Sequence, residues 1–74
     1  MYKEHTKALL NHDVTQYDLK AGDIGTIVHC YPEGKAYEVE FVTAGGHTIA
    51  LLTLEPVDIR RMLSTEILHA RQTA

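Results

Sequence analysis

Five histidines and one cysteine are the residues of this 74-residue chain best suited to hold a metal ion. The histidines lie at positions 5, 12, 29, 47 and 69, where no H-x-H or H-E-x-x-H spacing occurs. A zinc site needs ligands at such spacings, or ligands that the fold brings together. The pattern therefore predicts scattered histidines and no metal or other cofactor, with a site assembled from different strands or subunits as the open alternative.

Cys30, Glu38 and Glu40 are the candidates for catalysis. Alternation places Cys30 on the same strand face as Val28, where a thiol packs as a small apolar group. Glu38 and Glu40 share one face of a strand at about 7 Å, a spacing that suits acid and base roles but also two solvated charges that protect an edge. We therefore predict that the protein is not an enzyme, with an active site at a subunit interface as the alternative.

A hairpin over residues 21–42 is the element around which the chain is organised. The run from Thr26 to Tyr31 is rich in β-branched and aromatic residues, and the run 36–42 alternates strictly between apolar residues and glutamates. Between them, Pro-Glu-Gly-Lys offers a fixed φ followed by a residue that tolerates positive φ. Alternation in the first strand predicts that Ile27 points away from the core.

Two glycines, Gly22 and Gly25, precede this hairpin. Glycines at such a strand entry allow a sharp bend or the close approach of another part of the chain. A phosphate-binding loop is the alternative, but the sequence has neither G-x-G-x-x-G nor G-K-[ST], and no long helix follows. We therefore predict a structural role for both glycines.

Three stretches of sequence carry a family resemblance: GDIGTIV at 22–28, YPEGKAYEVEF at 31–41 and ALLTL at 50–54. They resemble a family of small, stand-alone bacterial proteins known as a domain of unknown function, over roughly residues 7–60. The resemblance implies an SH3-like barrel. It implies no activity, because the family brings no established catalytic residues.

The predicted fold is mainly β: a small five-stranded SH3-like barrel with a short C-terminal helix. We expect a flexible N-terminus at 1–6, the barrel at 7–62 and a helical tail at 63–74. Ser64 as an N-cap and Arg71 in the last turn favour the helix. A single helix over 57–71 is the alternative.

The strand at 47–54 is apolar on both of its faces. Ala50, Leu52 and Leu54 form one face, while Ile49 and Leu51 make the other face apolar as well. A strand that is buried on one side does not need this, so the C-terminal segment or another subunit must cover a second apolar surface outside the barrel. The predicted interface consists of Ile27, Ile49, Leu51, Met62, Ile67 and Leu68.

Size and charge narrow the class of protein. A chain of this length forms one domain of marginal stability, and a single cysteine allows no internal disulfide, so a homo-oligomer, dimer or higher, is expected. No apolar run is long enough for a membrane span or a signal peptide, which predicts a cytoplasmic protein. The net charge of −3, with four lysines against seven carboxylates in residues 1–40, disfavours nucleic acid as a partner.

These observations lead to one functional hypothesis and two alternatives. We predict a non-enzymatic protein-interaction module that self-associates through an exposed apolar sheet face and its C-terminal tail, with a further protein partner possible. One alternative is a nucleic-acid-binding SH3-like barrel. The other, one component of a toxin–antitoxin or immunity pair, is an analogy drawn from the family resemblance.

Overall fold

A computed structural model describes residues 2–73 as five antiparallel strands in one sheet. The strands are β1 Lys7–Leu10, β2 Ile24–Cys30, β3 Tyr37–Val42, β4 Thr48–Leu54 and β5 Ile59–Arg61. Three short 3₁₀ turns lie in the connections, at Thr15–Tyr17, Pro32–Gly34 and Pro56–Asp58. The predicted mainly β fold is confirmed, as is the hairpin turn between β2 and β3.

The strand order is β4-β3-β2-β1-β5, so β4 and β5 lie at the two edges. Each neighbouring pair is antiparallel, and within residues 2–73 no pairing joins β4 to β5. Hydrogen bonds therefore do not close the sheet into a barrel in the described part of the chain.

The core lies on one face of this sheet. Residues directly opposite each other in paired strands share a face, and Ile27 lies opposite Val39, which in turn lies opposite Leu52. The largest fully buried side chains are those of Tyr37, Phe41, Leu10, Ile27 and Val39. We call the other face, on which Leu9, Ile24, Glu40 and Leu51 lie, the outer face.

The prediction that Ile27 points away from the core is wrong. Ile27 is 0% exposed and belongs to the core cluster. The pairing of β2 with β3 shifts between Ile27 and His29, so that Val28 is an extra residue and the alternation reverses after it. This bulge places both Ile27 and Cys30 on the core side, which strict alternation cannot do.

The predicted C-terminal helix is also wrong, both over 63–74 and as a single helix over 57–71. Residues 62–73, which we call the C-terminal segment, contain a turn and no regular structure, and position 74 lies outside the described residues. The helix that Ser64 and Arg71 would delimit has only eight residues, and a helix of that length is marginal in isolation. Glu66 and Arg71, which would have stabilised its ends, form ion pairs with Arg60 and Asp23 instead.

Residues 2–6 lie against the sheet. The His5 N–H donates to the Ile27 carbonyl (2.6 Å), and the Ile27 N–H donates to the Thr6 carbonyl (2.9 Å). The Tyr2 ring meets the buried Tyr37 ring edge to face at 5.2 Å, and the Arg61 guanidinium lies over Tyr2 at 5.1 Å. The aromatic pair and the cation each favour this packing of the N-terminal residues.

Candidate functional site

A groove of about 830 Å³ lies between the outer face and the C-terminal segment in the described part of the chain. Leu9, Ile24, Ile49 and Met62 supply its apolar lining, and residues 20–22 and 43–45 form two of its borders. Leu9 is buried, yet it does not belong to the core cluster, which lies on the other side of the sheet. The C-terminal segment therefore lies over part of the outer face. Leu51, one of the residues from which the sequence predicted a second apolar surface, remains 56% exposed.

One end of the C-terminal segment is held by Arg60 and Glu66. The guanidinium donates two parallel hydrogen bonds to the carboxylate, at 2.8 and 2.7 Å. The Leu63 N–H also donates to Glu66, at 2.7 Å. The hydrogen bonds from Arg60 and then from Leu63 lower the pKa of Glu66 to about 2. The pair therefore remains ionised at neutral pH and fixes the turn at 63–66.

The other end of the segment is held by Arg71 and Asp23. Arg71 donates from Nε to the carboxylate at 2.9 Å and from Nη2 at 2.5 Å, and Nη2 also donates to the Asp18 carbonyl at 2.8 Å. Asp23 additionally accepts the Lys20 N–H at 2.9 Å. The hydrogen bond from Arg71 is the main cause of a lowered pKa at Asp23. This second bidentate pair ties residue 71 to the loop that precedes β2.

Several apolar side chains around the groove remain exposed. Ile67 borders the groove and is 92% exposed, and its neighbour Leu68 is 73% exposed. Leu63 is 59% exposed, and Leu51 on the outer face of β4 is 56% exposed. Large exposed apolar patches mark interaction surfaces, whereas single exposed apolar side chains are ordinary.

The predicted interface residues divide into three groups. Leu51, Ile67 and Leu68 are exposed, whereas Ile49 and Met62 are half-buried in the lining of the groove. Ile49 also packs against the core cluster, because the pairing of β3 with β4 shifts beside it. Ile27 lies in the core and cannot contact a partner. The structure thus brings five of the six residues to the outer face or to the segment that covers it.

The candidates for catalysis do not converge on a common site. The Cys30 thiol packs against the core and donates to the Tyr2 carbonyl at 3.4 Å. Glu38 accepts hydrogen bonds from the hydroxyls of Thr53 and Tyr31, which lower its pKa in that order. A carboxylate that is ionised and accepts two hydrogen bonds is a poor proton donor at neutral pH.

The histidines lie apart in the fold. Among residues 2–73, no three His, Cys, Asp or Glu side chains are placed together so that they could hold a metal ion. His12 instead contacts Asp58 at 2.9 Å, and Asp58 also accepts the Glu55 N–H in the turn before β5. This pair connects the loop after β1 to the turn that leads into β5.

Sequence reasoning missed the two ion pairs that hold the C-terminal segment. Asp23 and Arg71 are separated by 48 positions, and no local pattern relates them. Arg60 and Glu66 are closer, but their spacing of six is not one that helical or strand periodicity brings together. The only available signal was the expectation that something covers the apolar outer face.

A comparison with protein-family models gives a match over residues 4–61, to a family described as Domain of unknown function (DUF4926). The chain belongs to this family. The match includes all five strands, and it confirms the expected membership of a domain-of-unknown-function family. Neither the curated proteins nor the solved structures yield a match. The DUF4926 match ends at residue 61, so it does not include the C-terminal segment that borders the groove.

The strands and short turns leave little helical structure in the described chain. Over residues 2–73, no helix has the length and apolar character that a membrane crossing requires.

Proposed function

We propose that this protein is a non-enzymatic interaction module that self-associates through the outer face of its sheet and its C-terminal segment. The observation that carries the proposal is the set of exposed apolar side chains on the outer face of β4 and in the C-terminal segment, Leu51, Ile67 and Leu68. Leu51 lies two residues after Ile49 on β4, and Leu68 is the residue after Ile67. Ile49 and Ile67 both line the groove. Covering this surface removes apolar area from water, which favours association.

The charges near this surface support a second copy of the chain as its partner. Arg60 and Arg71 are already paired with Glu66 and Asp23. Burying these two arginines therefore leaves neither without a counter-charge, and an unpaired buried charge is among the largest costs of association. Small single-domain chains gain stability by such association, since they bury a small fraction of their own surface.

The proposal includes a finer description of the fold and its setting. The strand order β5-β1-β2-β3-β4 and the 3₁₀ turn Pro56–Asp58 between the last two strands support an SH3-like barrel. The free thiol of Cys30 suits a reducing compartment, which supports the bacterial cytoplasm. The nucleic-acid alternative has less support, because two of its candidate cations, Arg60 and Arg71, are occupied by carboxylates.

The test measures molar mass by light scattering over a range of protein concentrations. The wild type is expected to reach at least twice the monomer mass, and Leu51→Asp and Ile67→Asp are expected to shift it toward the monomer. Val57→Asp is the matched control, since Val57 is 75% exposed but lies in the 3₁₀ turn Pro56–Asp58, outside both β4 and the C-terminal segment. A wild type that stays monomeric at every concentration, or a control that dissociates as readily, refutes the proposal.

A further inference from the structure

Strand β4 has an open edge. It pairs with β3 on one side, and among residues 2–73 no strand pairs with its other side. The backbone hydrogen bonds formed outside the regular strand pairs do not involve residues 48–54 either. The N–H and C=O groups that point away from β3 are therefore available to another strand.

The two edges of the sheet differ in how they are protected. Strand β5 has three residues, two of which are Arg60 and Arg61, so it has the short length and the charge that discourage pairing. Strand β4 has seven residues, TIALLTL, with no charged residue, proline or glycine. The register shift beside Ile49 affects only its beginning, and residues 50–54 pair with β3 without interruption. Strand β4 therefore has the composition of an interior strand but lies at an edge.

We propose that β4 pairs antiparallel with β4 of a second copy, about a two-fold axis at Leu51, and joins the two sheets into one of ten strands. This inference rests on the proposed self-association and specifies its geometry. The axis places the two Leu51 side chains opposite each other and sets Ala50 opposite Leu52 of the second copy. An interface in which the same residues serve both copies is the form that closed dimers take.

The position of Leu51 favours this register over its neighbours. Leu51 is the most exposed apolar side chain of β4, at 56%, and it lies on the outer face beside the groove. Pairing at Leu51 covers this side chain in both copies. It also brings the two grooves to the same side of the joined sheet, so that the outer face of one copy continues into that of the other.

The acidic residues of β3 do not oppose the pairing. Glu38 and Glu40 are the charged side chains nearest to β4, and each accepts a hydrogen bond from a threonine of β4. In the joined sheet the two β3 strands lie three strand spacings apart, about 14 Å. This exceeds the screening length of about 8 Å at physiological ionic strength, so the repulsion between the two copies is largely screened.

The experiment is disulfide cross-linking of Leu51→Cys, with molecular oxygen as the oxidant and with non-reducing electrophoresis as the readout. Opposite residues in an antiparallel pair have Cβ atoms roughly 4.5–5.5 Å apart, which is within reach of a disulfide after a small adjustment. We expect a covalent dimer to form at least about tenfold faster than in Val57→Cys, whose site is exposed but lies outside β4, six positions from Leu51. The wild type, with Cys30 alone, serves as the background.

Amide hydrogen exchange of the unmodified chain provides the second measurement. Alternate amides of residues 50–54 are expected to become protected as the protein concentration rises. If the wild type is dimeric but these amides exchange freely and Leu51→Cys cross-links no faster than Val57→Cys, edge pairing is wrong and self-association stands. If light scattering shows a monomer throughout, both proposals are wrong.

Discussion

Phe41 packs so closely over Gly25 that a Cβ atom on the glycine would lie 2.8 Å from the Cε1 atom of the ring. The Cγ1 atom of Val39 would be closer still, at 2.6 Å. Both neighbours are buried, so they have little room to move. Gly25 therefore lets two core side chains of β3 lie directly against the backbone of β2. These are the parts of the chain whose close approach the glycine was predicted to allow.

Gly25→Ala is expected to lower the free energy of unfolding by roughly 1–3 kcal/mol, because the added methyl group overpacks the core. Denaturant unfolding followed by circular dichroism measures the change. Gly45→Ala is the matched control, since a Cβ atom at Gly45 has only the Thr43 hydroxyl nearby, at 3.9 Å. Equal stability of Gly25→Ala and the wild type would show that the core adapts to the methyl group.

Arg71→Gln is expected to loosen the C-terminal segment while leaving the sheet intact. The substitution removes both hydrogen bonds to Asp23, which then retains the Lys20 N–H. Amide exchange in residues 66–72 should accelerate by up to roughly fivefold, a modest change because the pair is partly exposed to water. Lys35→Gln, which removes another cation that faces a carboxylate, should leave these rates unchanged. Unaltered exchange in Arg71→Gln would mean that the segment is held by other contacts.

The attachment of the segment should also depend on pH through Glu66. Its pKa is 4.5 without the fold and about 2 in the structure, chiefly because Arg60 donates to it. A lowered pKa stabilises the folded form fully above about pH 4.5, and that contribution is lost as the pH falls toward 2. NMR chemical shifts of Leu63 and Glu66, followed from pH 6 to pH 2, should report the release. The transition should disappear in Glu66→Gln, and its persistence there would assign it to another group.

The His12 and Asp58 pair predicts a dependence of the opposite sign. Hydrogen bonds to the Asp13 carbonyl and then to Asp58 raise the pKa of His12 above 6.5. A raised pKa stabilises the fold fully below pH 6.5, and the contribution is lost as the pH rises through the raised value. Thermal unfolding of the wild type and His12→Gln should therefore differ at pH 6 and converge above pH 8. A difference that stays constant across this range would assign the effect of His12 to packing.

Much of the sheet follows from local sequence patterns. Tyr37, Val39 and Phe41 alternate with glutamates and are buried as predicted. The bulge in the pairing with β2 adds its extra residue to β2, and the pairing with β4 shifts only after Phe41, so the alternation of β3 itself is uninterrupted. The turn after β2 also lies where the sequence placed it. Ile27 was misplaced because a bulge adds one residue to a strand without changing its composition, so alternation cannot reveal it.

The site was less predictable, because its geometry comes from contacts between distant residues. The apolar outer face could be read from Leu51 and its neighbours, since two apolar faces on one strand require a cover. The path of the C-terminal segment over this face could not be predicted, because it depends on the contact between Arg71 and Asp23, which are 48 positions apart. This contact holds residues 63–73 in a conformation other than the helix that their local pattern favours. Tertiary ion pairs outweigh a weak local preference here.

The ion pair between Asp23 and Arg71 also implies an order of assembly. Its two partners lie 48 positions apart in the sequence, so this contact closes a long loop and forms late, after the loss of entropy of that loop. Until this contact forms, Leu9 and Ile24 lack the cover that the C-terminal segment gives them. A molecule with a detached segment thus exposes apolar surface on the outer face of its sheet, and transiently exposed surface of this kind promotes aggregation.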